Sequence, residues 1–299
     1  MHTRKAVEPR LGPNAPIALA GLGIAAYAVL VVTLLVTGYF GPLTYSPTSG
    51  TPSPGPAPTP SQCTASPTSS AIGGSTDVGP ALPGAPVDIF GYGWAEGGAS
   101  LVATPAIETY PGSTLLVFVG YVGPSIGGPR AVGVCDTAGD TFVEENPTTP
   151  NPTNHSVALF VAYDVLGGGV VVDAQFADTS AVAGGTLAVV DVSGASEIEP
   201  ANVTVVSANG VGSFAELSLG TTGPSLAVLG ISGQGHDGAF APIGSEVLLD
   251  TTGYYDVGPW TDGEALGTFA LVAPTGSTSI STQLSQAGVW NAFAVAVTD

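Results

Sequence analysis

The sequence predicts an all-β protein: a jelly-roll-like antiparallel β-sandwich, preceded by one transmembrane helix and a disordered Pro/Ser/Thr-rich stalk. Three observations carry that expectation. Gly (43) and Pro (26) punctuate the chain while only 9% of its residues are charged, which argues against a coiled coil or a charged disordered protein. Short runs rich in Val, Thr, Gly and Ser fill the chain from about residue 85 onward, with no stretch of helical spacing, as strands and turns require. One run near the N-terminus differs, being long and wholly apolar.

That run, 17–36, reads IALAGLGIAAYAVLVVTLLV and carries no charge over twenty residues. As a helix it would span about 30 Å, the hydrocarbon thickness of a bilayer. Pro16 suits a first helical position. Tyr39, Phe40 and Tyr45 follow where an aromatic belt would sit, and Arg4, Lys5 and Arg10 precede it. The positive-inside rule then puts the N-terminus in the cytoplasm and the rest outside. A cleaved signal peptide would have an apolar region of about 7–15 residues and a small-residue cleavage site; this run is longer and no A-x-A pattern follows it. A pilin-type leader is suggested by the basic MHTRKAVEPR, but Pro13 and Pro16 separate it from the helix. The expected organisation is a cytoplasmic tail (1–15), a retained single-pass helix (16–40), a stalk (41–84) and an extracellular β-sandwich (85–299). Gly21 and Ala25 form a small-xxx-small pair on which two such helices could pack.

The stalk is dominated by Pro, Ser, Thr and Gly. It cannot bury enough apolar surface to offset its chain entropy, so an extended, solvated spacer is expected.

In the outer domain, strands are expected at 114–122, 131–135, 157–164, 170–176, 185–192, 225–231, 266–272, 277–284 and 290–297, several with period-two alternation. Their spacing suggests a sandwich or jelly roll. An internal repeat is also visible. GSTLLVFV, ALFVAYDVLGGGVVVDAQF and TLAVVDVSG are echoed by GPSLAVLG, ALGTFALVAPTGSTSISTQL and AFAVAVTD. In each half a Gln (Gln175, Gln283) stands seven residues after a turn glycine (Gly168, Gly276). Two related sheets facing each other would explain the echo.

The segment VCDTAGDTFVEE resembles the D-x-x-G-N-x-Y hairpin of a large, poorly characterised family of bacterial and archaeal cell-surface β-sandwich domains. The strands ALFVAYDVLGGG and VVDVSG that follow, and the closing FALVAPTGSTSISTQLSQAGVWNAFAVAV, are similar in order and spacing over about 107–298. Asp140 stands where that pattern has Asn, and Phe142 where it has Tyr. The resemblance implies a jelly-roll-like fold and an extracellular setting, and no enzyme activity.

Charge narrows the partners. Glu8 is the only acid before residue 41, and Arg130 is the only base after it. Nucleic acid is therefore excluded as an expected partner, because phosphate contacts need basic groups. The clusters that carry ligand chemistry are few. Tyr254, Tyr255 and Trp260, together with Trp94, could stack on sugar faces while nearby acids accept hydroxyl hydrogen bonds. Asp136 with Asp140 in DTAGD, near Glu144, could hold calcium through oxygen ligands, as could Asp256, Asp262 and Glu264; the plain reading of DTAGD is a turn with a capping Asp. Cys63 and Cys135 could pair outside the cell or stay separate thiols. Asn154 and Asn202 fit the N-x-S/T glycosylation pattern. His2, His155 and His236 form no metal spacing, and no G-x-S-x-G elbow marks a nucleophile. No enzyme activity and no cofactor beyond calcium are expected. The expectation is a cell-surface binding or adhesion module for a glycan or surface protein, with a structural envelope or filament subunit as the alternative.

Overall fold

The computed structural model describes residues 71–97, 101–122, 131–145, 155–176, 184–194, 198–234, 240–251 and 264–299, all within one compact unit, Pro58–Asp299. The expected transmembrane helix at 16–40 and the stalk up to residue 70 lie outside the described residues. Among the described residues no helix is long and apolar enough to cross a membrane.

These residues form seventeen strands. In chain order they are β1 (Ala71–Val78), β2 (Asp88–Gly97), β3 (Leu101–Ala103), β4 (Ile107–Thr109), β5 (Thr114–Val122), β6 (Ala131–Asp136), β7 (Phe142–Glu145), β8 (His155–Ala162), β9 (Gly168–Val170), β10 (Val172–Phe176) and β11 (Gly184–Ser193). After a short 3₁₀ turn, Pro200–Asn202, come β12 (Val203–Thr221), β13 (Ser225–Gln234), β14 (Phe240–Pro242), β15 (Val247–Thr251), β16 (Glu264–Ala273) and β17 (Gly276–Val297). Every pairing between them is antiparallel. The all-β, antiparallel expectation holds.

The strands stack in layers. One large sheet runs β1-β2-β11-β5-β8-β7, and a second runs β12-β17-β13-β16-β15. They face each other across a seam that includes Leu116, Phe118, Leu159 and Val190 from the first and Leu226, Val228, Phe293 and Val295 from the second. The far face of the first sheet packs through Val117, Phe160 and Leu187 against Val102, Val172 and Phe176 of the small sheet β3-β10-β6, and against Ile107 and Val170 of the pair β4-β9. The far face of the second is covered by its own chain. Beyond Gly212 the β12–β17 ribbon shifts register and folds over, bringing Leu217, Leu219, Ile280 and, from β14, Phe240 onto Leu229, Phe269 and Ala294.

Both large sheets are thus covered on two faces, which explains their central strands. Thr114 to Tyr121 of β5 are all buried, as are Val157 to Ala162 of β8 and Ser225 to Gly233 of β13. Strands buried on both faces read as near-continuous apolar runs, so these were visible in sequence.

The internal echo is a duplication of topology. The order β2-β11-β5-β8-β7 in the first half matches β12-β17-β13-β16-β15 in the second, and β3-β10-β6 matches the folded-over part of β12, the start of β17 and β14. Gln175 lies between Leu101 and Gly133 in register, and Gln283 lies between Phe214 and Ala241, the same place in each half. The turn glycines before them, Gly168 and Gly276, both take positive φ (101° and 113°). Among the described strands, β1 is left without a counterpart.

Three differences from the expected organisation bear on the architecture. β-Structure begins at Ala71, inside the segment read as stalk (41–84), because AIGGSTDV pairs its backbone with β2 although its side chains are too small to announce a strand. The run 170–176 is broken at Val171, where the chain passes from the β4 pairing to the β3 pairing. The runs 277–284 and 290–297 belong to one strand, β17.

The seam is tight where Phe118 lies over Gly230: an added Cβ there would stand 2.1 Å from the ring's Cδ1. Gly230→Leu is expected to cost about 1–3 kcal/mol through overpacking, lowering the urea midpoint. Combining it with Phe118→Ala should recover part of that loss. Equal midpoints for Gly230→Leu and the parent would show that the two sheets do not pack as described.

Candidate functional site

The described residues form an open groove of about 1040 Å³, at the large end of the volumes ligand sites have. Its walls are the end of β1 and the chain after it (Thr76 to Ala81), the start of β2 (Asp88 to Gly91), Glu108 of β4, Tyr110, and Ser193 and Gly194 at the end of β11.

Local sequence sets each group in place. In β4, Ile107 and Thr109 are buried and Glu108 between them faces out, the alternation a strand imposes. Tyr110 opens the turn Tyr110-Pro111-Gly112-Ser113, in which the Ser113 N–H donates to the Tyr110 carbonyl at 3.0 Å. Gly112 takes φ +80° there, and Pro followed by Gly is what a type II turn favours. Tyr110 is half-exposed (50%) and Phe90 similarly so (40%). Their ring centroids stand 5.5 Å apart at 59°, a tilted pair of the kind aromatic rings prefer.

A buried carboxylate holds this turn. The Tyr110 N–H donates to Asp191 Oδ2 at 2.8 Å, and Asp191 has no exposed surface. Burial pushes its carboxyl up to about 7, while Ser113 and the Tyr110 N–H pull it back. The rim is acidic, with Asp77, Asp88 and Glu108, and none of the four basic residues is among those described. The groove therefore offers two apolar ring faces beside carboxylate acceptors. That set suits a neutral, hydroxyl-rich ligand or a cationic one, and disfavours an anion.

None of the described residues singled out by sequence lines this groove. Tyr254, Tyr255 and Trp260 lie outside the described residues, as do Asp256 and Asp262, Cys63, Asn154 and His236. Trp94 shares a strand with Phe90 but is half-buried and does not line the groove. His155 begins β8, opposite Val122. Asp136 and Asp140 do come together, as a turn: Asp136 Oδ1 accepts the N–H groups of Gly139 (2.7 Å) and Asp140 (3.0 Å), and Gly139 takes positive φ. Asp140 Oδ1 accepts the Leu166 N–H at 3.2 Å. Burial, then the adjacent Asp136, pushes Asp140 up to about 6. Among the described residues no three His, Cys, Asp or Glu side chains gather as metal ligands. Cys135 is disulfide-bonded. The Asn202 side chain is engaged at the 3₁₀ turn, its Oδ1 accepting the Glu199 N–H at 3.1 Å and its amide reaching Thr298 Oγ1 at 3.5 Å. That role accounts for an Asn there without a glycan.

Sequence reading did not single out Phe90 and Tyr110. The available signal was the Y-P-G-S turn, which fixes an aromatic residue at the mouth of a strand.

No protein family matches the chain, and neither does any curated protein or solved structure.

Three buried or half-buried carboxyls, Asp191 (about 7), Asp140 and Asp250 (each about 6), are all raised, with burial the leading cause. The unfolded chain would release these protons near pH 4. Between about pH 4 and 7 the folded state therefore binds more protons than the unfolded one, and stability falls as pH rises. Thermal unfolding of the parent should show a midpoint that drops from pH 5 to pH 8. Asp191→Asn, which keeps an acceptor for the Tyr110 N–H, should flatten that slope. A midpoint that rises over this window would contradict the burial assigned to these groups.

Proposed function

We propose that this chain is a membrane-anchored cell-surface protein whose β-sandwich head binds glycans through the Phe90–Tyr110 groove. The observation that carries the reading is the pair of half-exposed rings set 5.5 Å apart beside Glu108, Asp77 and Asp88. Ring faces stack on the C–H faces of sugars, and carboxylates accept hydrogen bonds from sugar hydroxyls. The groove's walls are strand ends and a type II turn held by a buried carboxylate, so little order need be gained on binding.

Display at the surface is supported by the sequence: the apolar run 17–36, the basic residues before it and the Pro/Ser/Thr-rich segment after it. The resemblance of 107–298 to cell-surface β-sandwich domains agrees with that setting. The jelly-roll character of the head is supported by strand order. In each half, strands distant in sequence lie side by side, β2 beside β11 and β3 beside β10, as the start of β12 lies beside the end of β17.

The test is a glycan array probed with the full chain in detergent, followed by titration of the best glycan. Tyr110→Ala and Phe90→Ala are each expected to weaken binding about tenfold, the effect of losing roughly 1.4 kcal/mol of stacking, with unfolding midpoints near the parent's. No glycan bound by the parent, or binding unchanged in both variants, would remove the groove as the site.

A further inference from the structure

The second half leaves an edge open that the first half covers. In the large sheet of the first half, β2 carries β1 on its outer side, and the Gly79 N–H, just past β1, donates to the Phe90 carbonyl at 3.1 Å. In the second half β12 holds the place of β2, and among the described residues no strand pairs with its outer side.

The register says which groups face outward. The Thr298 N–H donates to the Asn202 carbonyl at 3.0 Å, and Val203 lies opposite Val297. Hydrogen-bonded and non-bonded pairs alternate along an antiparallel ladder. Thr204, Val206, Ala208 and Gly210 therefore turn their N–H and C=O groups toward β17. Val203, Val205, Ser207, Asn209 and Val211 turn theirs away, into the open. The edge has defined ends: the 3₁₀ turn Pro200–Asn202 precedes it, and the register shift after Gly212 follows it.

Exposed edges normally carry a device against pairing, such as Lys, Pro, an inward charge or a bulge. Residues 203–211, VTVVSANGV, contain no charged residue and no proline. The whole chain carries a net charge of −19, so an uncharged edge is where two copies can approach with least repulsion. Val211 at the end of this edge is 81% exposed.

We propose that the β12 edge pairs antiparallel with the β12 edge of a second copy, about a twofold axis at Ser207, joining two of the large sheets into one. An antiparallel edge is self-complementary when matched to itself, and twofold dimers are the commonest closed assembly. Centring on Ser207 uses the full open length between the two ends. It sets Val203 against Val211 of the second copy, Val205 against Asn209, and Ser207 against Ser207. The exposed Val211 is then covered by a β-branched neighbour. The dimer does not depend on what the groove binds, but it would present two grooves on one body and so add avidity to any repeated surface ligand.

Two variants of the full chain in detergent test this. Ser207→Pro removes an outward N–H and leaves the β17 ladder intact, so far-UV circular dichroism should match the parent. In sedimentation equilibrium the parent is expected to be dimeric and Ser207→Pro monomeric. Ser207→Cys places two thiols on directly opposed residues, with Cα atoms about 5.5 Å apart, a separation that a disulfide spans. Mild oxidation should give a covalent dimer, whereas Thr204→Cys, whose opposite number is Gly210, should not. Cys135 is already disulfide-bonded and does not compete. A parent that stays monomeric at its highest soluble concentration would overturn the proposal. So would a folded, dimeric Ser207→Pro, or a parent dimer that Ser207→Cys fails to lock, as expected if copies associate through the 17–36 helix or by exchanging β1. If Ser207→Pro does not fold, the cysteine pair decides alone.

Discussion

The seam between the two large sheets is the constraint from which most of the molecule follows. Each sheet already has a covering layer on its outer face, so packing them together leaves their central strands no solvent-facing side. A strand in that position has no place for charge. It also has little tolerance for bulk, since neighbouring layers fit at close-packed density. Phe118 and Gly230 show the result: a large side chain of one sheet sits where the other offers none. This is how a chain can be 44% hydrophobic and only 9% charged and still carry a strongly acidic exterior. Among the described residues most acids lie in turns, on edge strands or at the groove rim. The exceptions, Asp191 above all, cost desolvation and keep their protons to near-neutral pH.

Duplication makes the remaining asymmetry informative. Strand for strand the two halves share one order, so any element present in one and absent from the other needs its own explanation. β1 is such an element. It closes the edge of β2, and the chain leaving it forms one wall of the groove. The groove therefore exists in the half that has β1, and the open edge exists in the half that lacks it. Both features arise from one break in the repeat.

How much of this could be read from the residues depended on burial. β5, β8, β11, β13 and β16 were legible because two-sided burial writes a near-continuous apolar run of strand length, rich in Val and bounded by Gly. β12 was not foreseen. Ser207, Asn209 and Gly210 interrupt its apolar residues, and its alternation serves one face in its first part and another after Gly212. β1 and β2 were missed for a different reason: AIGGSTDV and DIFGYGWAEG owe their strand state to the ladder between them, a pairing of sequence-distant backbones that no local pattern reports. The repeat was visible in Gly168, Gln175, Gly276 and Gln283, because a turn glycine with positive φ and a fixed offset survive where the surrounding apolar residues interchange freely. The candidate site was hardest. Phe90 and Tyr110 are twenty residues apart with nothing shared in sequence, and their rings meet because β4 packs on β2, with Ile107 and Glu108 lying against Gly91.

The groove's rigidity follows from the same seam. Glu108 and Tyr110 project from a segment fixed on one side by Ile107 and Thr109 in the core and on the other by Asp191 beneath the turn. Phe90 projects from β2, whose neighbour β11 is buried from Gly185 to Val192. Moving the backbone under either ring would disturb residues packed in the core, Ile89 beside Phe90 and Thr109 beside Tyr110. On the proposed reading, a site built on such strand ends needs little rearrangement to receive a ligand, and its selectivity would rest on the ring spacing and the acids around it.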